Sequence, residues 1–381
     1  MIKRLQIENY KSLKGIDLEL GLRNIVVGPN MSGKSNLIDC FKFLTQVCIS
    51  GVNTAFMNRG GFPEVVWKGG DNGPISFKLV IEHDKKGDRR SYEYEISIIG
   101  ASSGLISIER EYLVVKSGNQ ISSLIDLRHG RGKVTHADGT IAFVTEGPTR
   151  SALEFSVPGW DGMIVKKYIS MWCYYRLVPA LMKRDSAVVM TNFLNENGDN
   201  FSSWFMTLQT TYPKEFHQIK QVARDVFPGL EEIFTPPTQI ATTFVTTQEK
   251  HLKRPITIWH MSDGEIVFLA WLSLIFAPSG APLYCIEEME NHLHPKLLET
   301  LVEVLNQRQK ELGPDAAQII VTTHSPYLVD KVKIEDLIVI EKSDGVTKCT
   351  RPASKTHLKE LLEREELGLG ELWYSGALGG D

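Results

Sequence analysis

The sequence predicts an α/β protein with a mostly parallel sheet, split by an antiparallel β subdomain and a helical insertion. Three observations predict it. An apolar run from Asn24 to Val27 enters a glycine-rich loop at Gly28, and a helical pattern follows. The last third alternates apolar runs with helix-period stretches, the pattern of a parallel sheet covered on both faces. Between these lie short alternating stretches, then a segment of helical texture.

Taken in order, Ile2 to Glu8 and Ile16 to Leu20 alternate polar and apolar residues as strands do. Leu37 to Val47 places Leu37, Phe41 and Leu44 on one helical face. From about Pro74 to Glu146, runs such as Ile75-Phe77-Leu79-Ile81 and Tyr92-Tyr94-Ile96-Ile98 are separated by Gly, Asp, Asn and Lys, which reads as hairpins. From about Gly159 to Phe234, apolar and aromatic residues recur at helical spacing around Trp172, Leu177, Leu181, Phe193, Trp204 and Leu208. Tyr168, Trp172, Tyr174 and Tyr175 are expected to pack a core rather than stack bases. Then come an expected strand at Ile256 to Trp259, a helix from Gly264, and a strand at Leu283 to Ile286. A helix from Pro295, a strand at Gln318 to Thr322, a helix from Pro326 and a strand at Leu337 to Ile340 complete the series. The reading divides the chain into residues 1–158, an insertion at 159–235 and a returning half at 236–381.

The 381 residues are 42% hydrophobic and 23% charged, ordinary material for a sizeable core. A formal net charge of −4 offers no overall basic field for nucleic acid or an anionic membrane. The basic stretches Lys85 to Arg90 and Arg128 to Lys133 fall in expected hairpin loops and read as solvated turns. Cys40, Cys48, Cys173, Cys285 and Cys349 are scattered, without metal spacing, which suits reduced thiols in a cytoplasmic protein. The N-terminus alternates rather than forming a leader, and no apolar run approaches the ~20 residues of a membrane helix. Ile266 to Ala277 suits a buried helix.

Chemistry enters at Gly28-Pro29-Asn30-Met31-Ser32-Gly33-Lys34-Ser35, which matches G-x-x-x-x-G-K-[ST] without departure. Its glycines let backbone N–H groups converge on phosphate at a helix N-terminus. Asn30, Ser32, Gly33, Lys34, Ser35 and Asn36 are therefore candidate nucleotide-binding residues. Lys34 is placed to reach the β- and γ-phosphates, and the Ser35 hydroxyl to ligate Mg²⁺.

Three later segments choose among phosphate-loop proteins. Met261-Ser262-Asp263-Gly264-Glu265 precedes a helix, where Ser262 and Gly264 could face a phosphate or serve as a plain cap. Leu283 to Glu288 is an apolar strand ending in paired carboxylates, Glu287 for a metal shell and Glu288 as a base that activates water. Ile319 to Pro326 places His324 just past another apolar strand, within reach of a γ-phosphate. His292 and His294 do not read as a metal pair, because residues two apart do not face each other on a helix.

The order of these segments is that of an ABC-type ATPase head within the P-loop NTPases. The chain resembles the RecF-like and OLD-like ATPases, relatives of the SMC heads. Glu287-Glu288-Met289-Glu290-Asn291-His292-Leu293-His294-Pro295 resembles their Walker B and D-loop run, and the likeness extends to Gly368-Leu369-Gly370-Glu371-Leu372-Trp373. It is weaker across the middle of the chain. Glu287 stands where many ABC heads carry aspartate, Met289 replaces the usual proline, and no Q-loop glutamine is placed.

The resemblance implies an ATPase that uses ATP and Mg²⁺ in a homodimer. ATP held by Lys34 and Ser35 of one subunit would be capped by Ser262 and Gly264 of the other. Glu288 would then activate water and His324 would sense the γ-phosphate. It implies a setting in antiphage defence or DNA repair. There the dimer would control a separate effector, such as a toprim nuclease, or DNA. OLD-like proteins often carry that nuclease in the same chain, and the residues after His324 are too few to hold it. The alternative is a slow-turnover ATP-bound scaffold that holds the effector.

Overall fold

The computed structural model describes residues 1–70, 73–85, 88–100, 105–278, 280–354 and 368–374. The chain opens with β1 (Ile2–Tyr10), β2 (Leu13–Glu19) and β3 (Arg23–Val27), then α1 (Lys34–Ser50). Two short helices, α2 (Val52–Met57) and α3 (Phe62–Val65), lead into six strands. These are β4 (Ile75–Lys85), β5 (Asp88–Gly100), β6 (Ile106–Ser117), β7 (Gln120–Arg128), β8 (Arg131–Thr135) and β9 (Ile141–Glu146).

The hairpin region joins a larger sheet than expected. β1 and β2 extend it, giving eight antiparallel strands in the order β2-β1-β4-β5-β6-β7-β8-β9. Alternation sets which face is buried. Leu5 and Ile7 on β1 lie opposite Leu79 and Phe77 on β4, all without solvent contact. Of the two basic stretches, Arg128 to Lys133 spans the β7–β8 turn, while Lys85 to Arg90 falls partly outside the described residues.

The middle segment holds α4 (Met163–Ser170), β10 (Cys173–Tyr175), α5 (Pro179–Met182), β11 (Ser186–Ala187), α6 (Phe201–Thr211), α7 (Pro213–Val226) and β12 (Leu230–Phe234). It is not uniformly helical. β10 pairs in parallel with β16 (Leu283–Glu287) at the edge of the central sheet. Trp172 and Tyr175 are buried there. Three residues are too short a run to show strand alternation against a helical background.

The returning half contains β13 (Thr242–Thr243), β14 (Thr246–Glu249), β15 (Ile256–Thr257) and α8 (Asp263–Phe276) before β16. It then runs through α9 (Pro295–Leu312), β17 (Gln318–Thr323), α10 (Pro326–Asp330), β18 (Leu337–Ser343), β19 (Val346–Thr350) and α11 (Leu369–Tyr374). The strand expected at Ile256 to Trp259 is shorter. It gives way to a 3-10 turn at Ile258–His260, leaving Trp259 46% exposed, and pairs with β14 outside the central sheet.

The central sheet has the order β10-β16-β17-β3-β18-β19, parallel except for β19. Its alternating residues feed two cores. Val26, Cys285, Ile320 and Ile338 face α1 and the eight-stranded sheet. Ile25, Val27, Ile286, Val321 and Val339 face α8, α9 and the helices α6 and α7. Both faces of a parallel sheet must be covered, and here each cover is a separate hydrophobic cluster. α8 is apolar nearly all round, with ten buried residues, as expected of an element enclosed on every side. No helix among the described residues is long and apolar enough to cross a membrane.

Candidate functional site

Register brings the site together. Glu287 lies opposite Thr322 on β17, and Thr322 and Thr323 lie opposite Val26 and Val27 on β3. The residues that leave these three strands, Gly28, Glu288 and His324, therefore emerge side by side at one edge. That carboxyl edge of a parallel sheet is the usual ligand position. A cleft of about 310 Å³ opens there, lined by Asn30 to Asn36 of the loop with Glu288, Thr322, His324 and Lys342.

The loop has the geometry of a phosphate cradle. A Cβ on Gly28 would sit 2.1 Å from the Ile340 carbonyl oxygen, and one on Gly33 would sit 2.3 Å from Thr347 Oγ1. Gly33 has φ 114°, which L side chains rarely adopt. Met31 also has positive φ and is 88% exposed, so the loop tip is thrust outward. The Lys34 ammonium folds back to donate to the carbonyls of Gly28 (2.8 Å) and Pro29 (2.9 Å). Burial lowers its pKa to about 8, partly offset by the nearby carboxylates of Glu288 and Glu290. The Ser32 hydroxyl is buried without a hydrogen-bond partner among the described residues, whereas Ser35 is exposed at the helix start. Asn36 turns aside to donate to Ser12 Oγ at 2.7 Å.

Glu288 has φ 53°, held by its N–H donating to the Thr322 carbonyl at 3.0 Å. This turn points its carboxylate at the cleft, where Oε1 lies 3.9 Å from His324 Nε2 and Oε2 accepts from Asn291 at 2.7 Å. Burial lowers the His324 pKa, helped by Lys34 and opposed by Glu288 and Glu290, which favours the neutral ring. Glu287 stands at the same strand end but faces Lys42 of α1, at 3.4 Å, rather than lining the cleft.

Three further residues belong to this site. Glu290 accepts the His324 N–H at 2.6 Å, and its second oxygen is buried without a partner among the described residues. Thr322 and Lys342 line the cleft beside it. Glu290 sits two positions beyond the Glu-Glu pair, so counting acidic residues near that pair could have flagged it. The other two are recognisable only from the strand order. Lys342 and Asn36 also border an adjoining hollow with Trp67, Glu64 and Asp344, which gives the cleft room to extend sideways.

Ser262 and Gly264 lie elsewhere. Ser262 is exposed and caps α8 by accepting the Glu265 N–H at 3.2 Å. Gly264 packs so closely that a Cβ would approach the His292 carbonyl oxygen to 2.8 Å. Neither residue lines the cleft of its own chain. His294 is consumed as the cap of α9, its ring accepting the Lys296 N–H, and no metal-binding cluster occurs among the described residues.

Comparisons with known proteins bear on the family and the fold. The sequence family described as "AAA domain, putative AbiEii toxin, Type IV TA system" matches residues 23–113 and 182–330, more than half of the chain. A retron Vc95 probable ATPase of Vibrio cholerae is 31% identical over 111 residues, 26% of this chain and 21% of that protein. The structural maintenance of chromosomes protein 1 of Schizosaccharomyces pombe is 27% identical over 143 residues, 30% of this chain and 11% of that protein. The matched segments are thus a small part of either relative. Among solved structures, an SMC head bound to the C-winged helix domain of ScpA superposes with a TM-score of 0.57 at 14% identity. It covers 92% of this chain and 97% of that one, a likeness of fold. The chain belongs to the AAA-domain family of the putative AbiEii toxin, and its fold is that of an ABC-type, SMC-related P-loop ATPase head.

Proposed function

We propose that the cleft binds ATP with Mg²⁺ and hydrolyses it, and that two copies close around the nucleotide to control a separate effector. The observation that carries this reading is the convergence of the loop, Glu288 and His324 on one cleft, with Ser262 and Gly264 outside it. A cap that stands outside its own cleft can serve the cleft of a second copy.

The residues present fit the ligand. The N–H groups of the loop and of the first turn of α1, with Lys34, would hold the phosphates. The unpartnered Ser32 hydroxyl is a further donor. Ser35, which lines the cleft, and Glu287, once turned from Lys42 at the strand end beside it, would hold Mg²⁺, which supplies charge neutralisation at the β- and γ-phosphates. Glu288, already turned into the cleft, would accept a proton from the attacking water. His324 with a lowered pKa would present a neutral ring whose N–H can donate to the γ-phosphate. Exchanging its carbonyl partners for phosphate would draw Lys34 out of the loop.

The family description names a putative toxin of a TA system, a two-component arrangement, and this supports an effector-linked role, for which antiphage defence is the proposed setting ahead of DNA repair. DNA is the competing partner; its signature would be turnover stimulated by DNA with a steep salt dependence.

The test is the solution mass of Glu288→Gln with and without ATP and Mg²⁺. The expected outcome is a monomer that becomes a dimer only with nucleotide, and remains a monomer once Ser262→Arg is added. A mass indifferent to both nucleotide and Ser262→Arg counts against the sandwich.

A further inference from the structure

Lys42 stands between two carboxylates that belong to different parts of the molecule. Its ammonium lies 2.5 Å from Glu196 Oε1 and 3.4 Å from Glu287 Oε1, over the ring of Tyr174. Glu287 ends β16, whereas Glu196 sits in the 195–200 turn that opens α6. That turn is itself fixed to the end of β10, because the Arg176 N–H donates to the Glu196 carbonyl at 2.9 Å. From α6, the Trp204 indole N–H donates to Ser273 Oγ of α8 at 3.0 Å, a buried contact with the helix that Ser262 caps.

We infer that Lys42 is a positioning residue shared between Glu287 and Glu196, coupling cation affinity at the cleft to the placement of α6 and α8. The inference rests on the reading of Glu287 as a metal ligand. The physical argument is competition. One ammonium has donors enough for both carboxylates but a single charge, which cannot neutralise both, so whatever draws it closer to Glu196 leaves Glu287 freer for a cation. By reciprocity, a cation on Glu287 strengthens the Lys42–Glu196 pair and tightens the 195–200 turn against α1. Each end of α8 is then informed of the cleft through contacts already made: Ser273 through Trp204, and the Ser262 end through the rigid helix between them. Lys42 is 23% exposed and Glu287 13%, whereas Glu196 is 47% exposed, so solvent screens the Lys42–Glu287 pair less than the Lys42–Glu196 pair.

The signs of the substitutions make this testable. Lys42→Met removes a cation beside the metal site and is expected to tighten Mn²⁺ binding in the presence of ATP by about three- to fivefold. Glu196→Gln leaves Lys42 wholly to Glu287 and is expected to weaken Mn²⁺ binding by a similar factor. Both are measured on the full chain carrying Glu288→Gln, by electron paramagnetic resonance of free Mn²⁺. In the same samples, amide exchange over 195–200 and 263–267 should respond to Mn²⁺ with ATP. That response should fall about fivefold or more in either variant, and no further in the double variant. A packing role for Lys42 would move both variants in the same direction, and opposite signs would not appear. Shifts of equal sign, or an exchange response unchanged in Glu196→Gln, overturn the inference. Glu287→Gln separates it from its premise. If Mn²⁺ affinity survives that change, the metal-ligand reading fails and takes this inference with it.

Discussion

Lys34 is the cleft residue whose charge the proposed ligand would most affect. Burial beside loop carbonyls lowers its pKa to about 8, so near neutral pH it is mostly charged and above 8 it is mostly neutral. Bound phosphate would favour the charged form and raise that pKa. The sign follows: above pH 8 binding must take up a proton, and affinity falls as pH rises, whereas below it affinity is flat. Titration calorimetry at about pH 9 in two buffers of different ionisation heat should show proton uptake, and at about pH 7 almost none. Absence of uptake at the higher pH would place Lys34 away from the phosphates. Gly28 gives a second test at this scale. Alanine there would place a carbon 2.1 Å from the Ile340 carbonyl oxygen, a backbone atom that cannot step aside cheaply. Gly28→Ala should therefore cost about 2 kcal/mol or more of stability and most of the nucleotide affinity. Urea unfolding and a fluorescent-nucleotide titration would read the two effects separately.

Elements are joined here by a few buried polar contacts that bridge distant parts of the sequence. Gln318, at the start of β17 and 1% exposed, is the example. Its amide oxygen accepts the Ile2 N–H at 2.9 Å, and its nitrogen donates to the carbonyls of Ile2 and Gly21. It thereby ties β1 of the large sheet to the central sheet. Gln318→Leu keeps the volume but takes this partner from the Ile2 N–H and carbonyl, while the Gly21 carbonyl keeps Asn24 Nδ2, and should lower stability by about 2–4 kcal/mol. The expected reading is a lower urea midpoint with an unchanged slope. Contacts of this kind also mark what was legible in the sequence. Local signals carried well: the loop from Gly28 to Ser35, the apolar run of α8, and the strand-helix alternation that built the central sheet. Pairing between distant segments was not legible. Nothing local shows that Ile2 to Tyr10 joins the sheet of Tyr92 and Tyr94, or that Cys173 to Tyr175 docks beside Leu283. Thr322 and Lys342 reach the cleft only through strand order, and Asn36 faces Ser12 because Thr347 brings Ser12 beside the loop. Lys42 escaped for the same reason, since Glu196 and Glu287 are remote from it and from each other in the chain.

At the scale of the whole molecule, one sheet is shared by two cores. α1, which follows the loop, packs in the first core, while α8, which Ser262 caps, packs in the second. A single chain therefore carries the helix behind the loop and the helix behind the cap on different bodies of packing, joined through the strands that carry Glu287 and Thr322. Nucleotide that touches the cleft alone stabilises one chain by mass action, about 2.7 kcal/mol at a hundred times the dissociation constant. Nucleotide held between a cleft and a second chain's cap adds a stabilisation that depends on protein concentration, because dimerisation is then linked to binding. Thermal unfolding of Glu288→Gln with saturating ATP and Mg²⁺ should therefore shift upward as protein concentration is raised. With Ser262→Arg added, the nucleotide-dependent shift should persist while its dependence on protein concentration disappears. Loss of both would show that Ser262 supports its own cleft. Concentration dependence in both variants would place the contact between copies somewhere other than the helix that Ser262 caps.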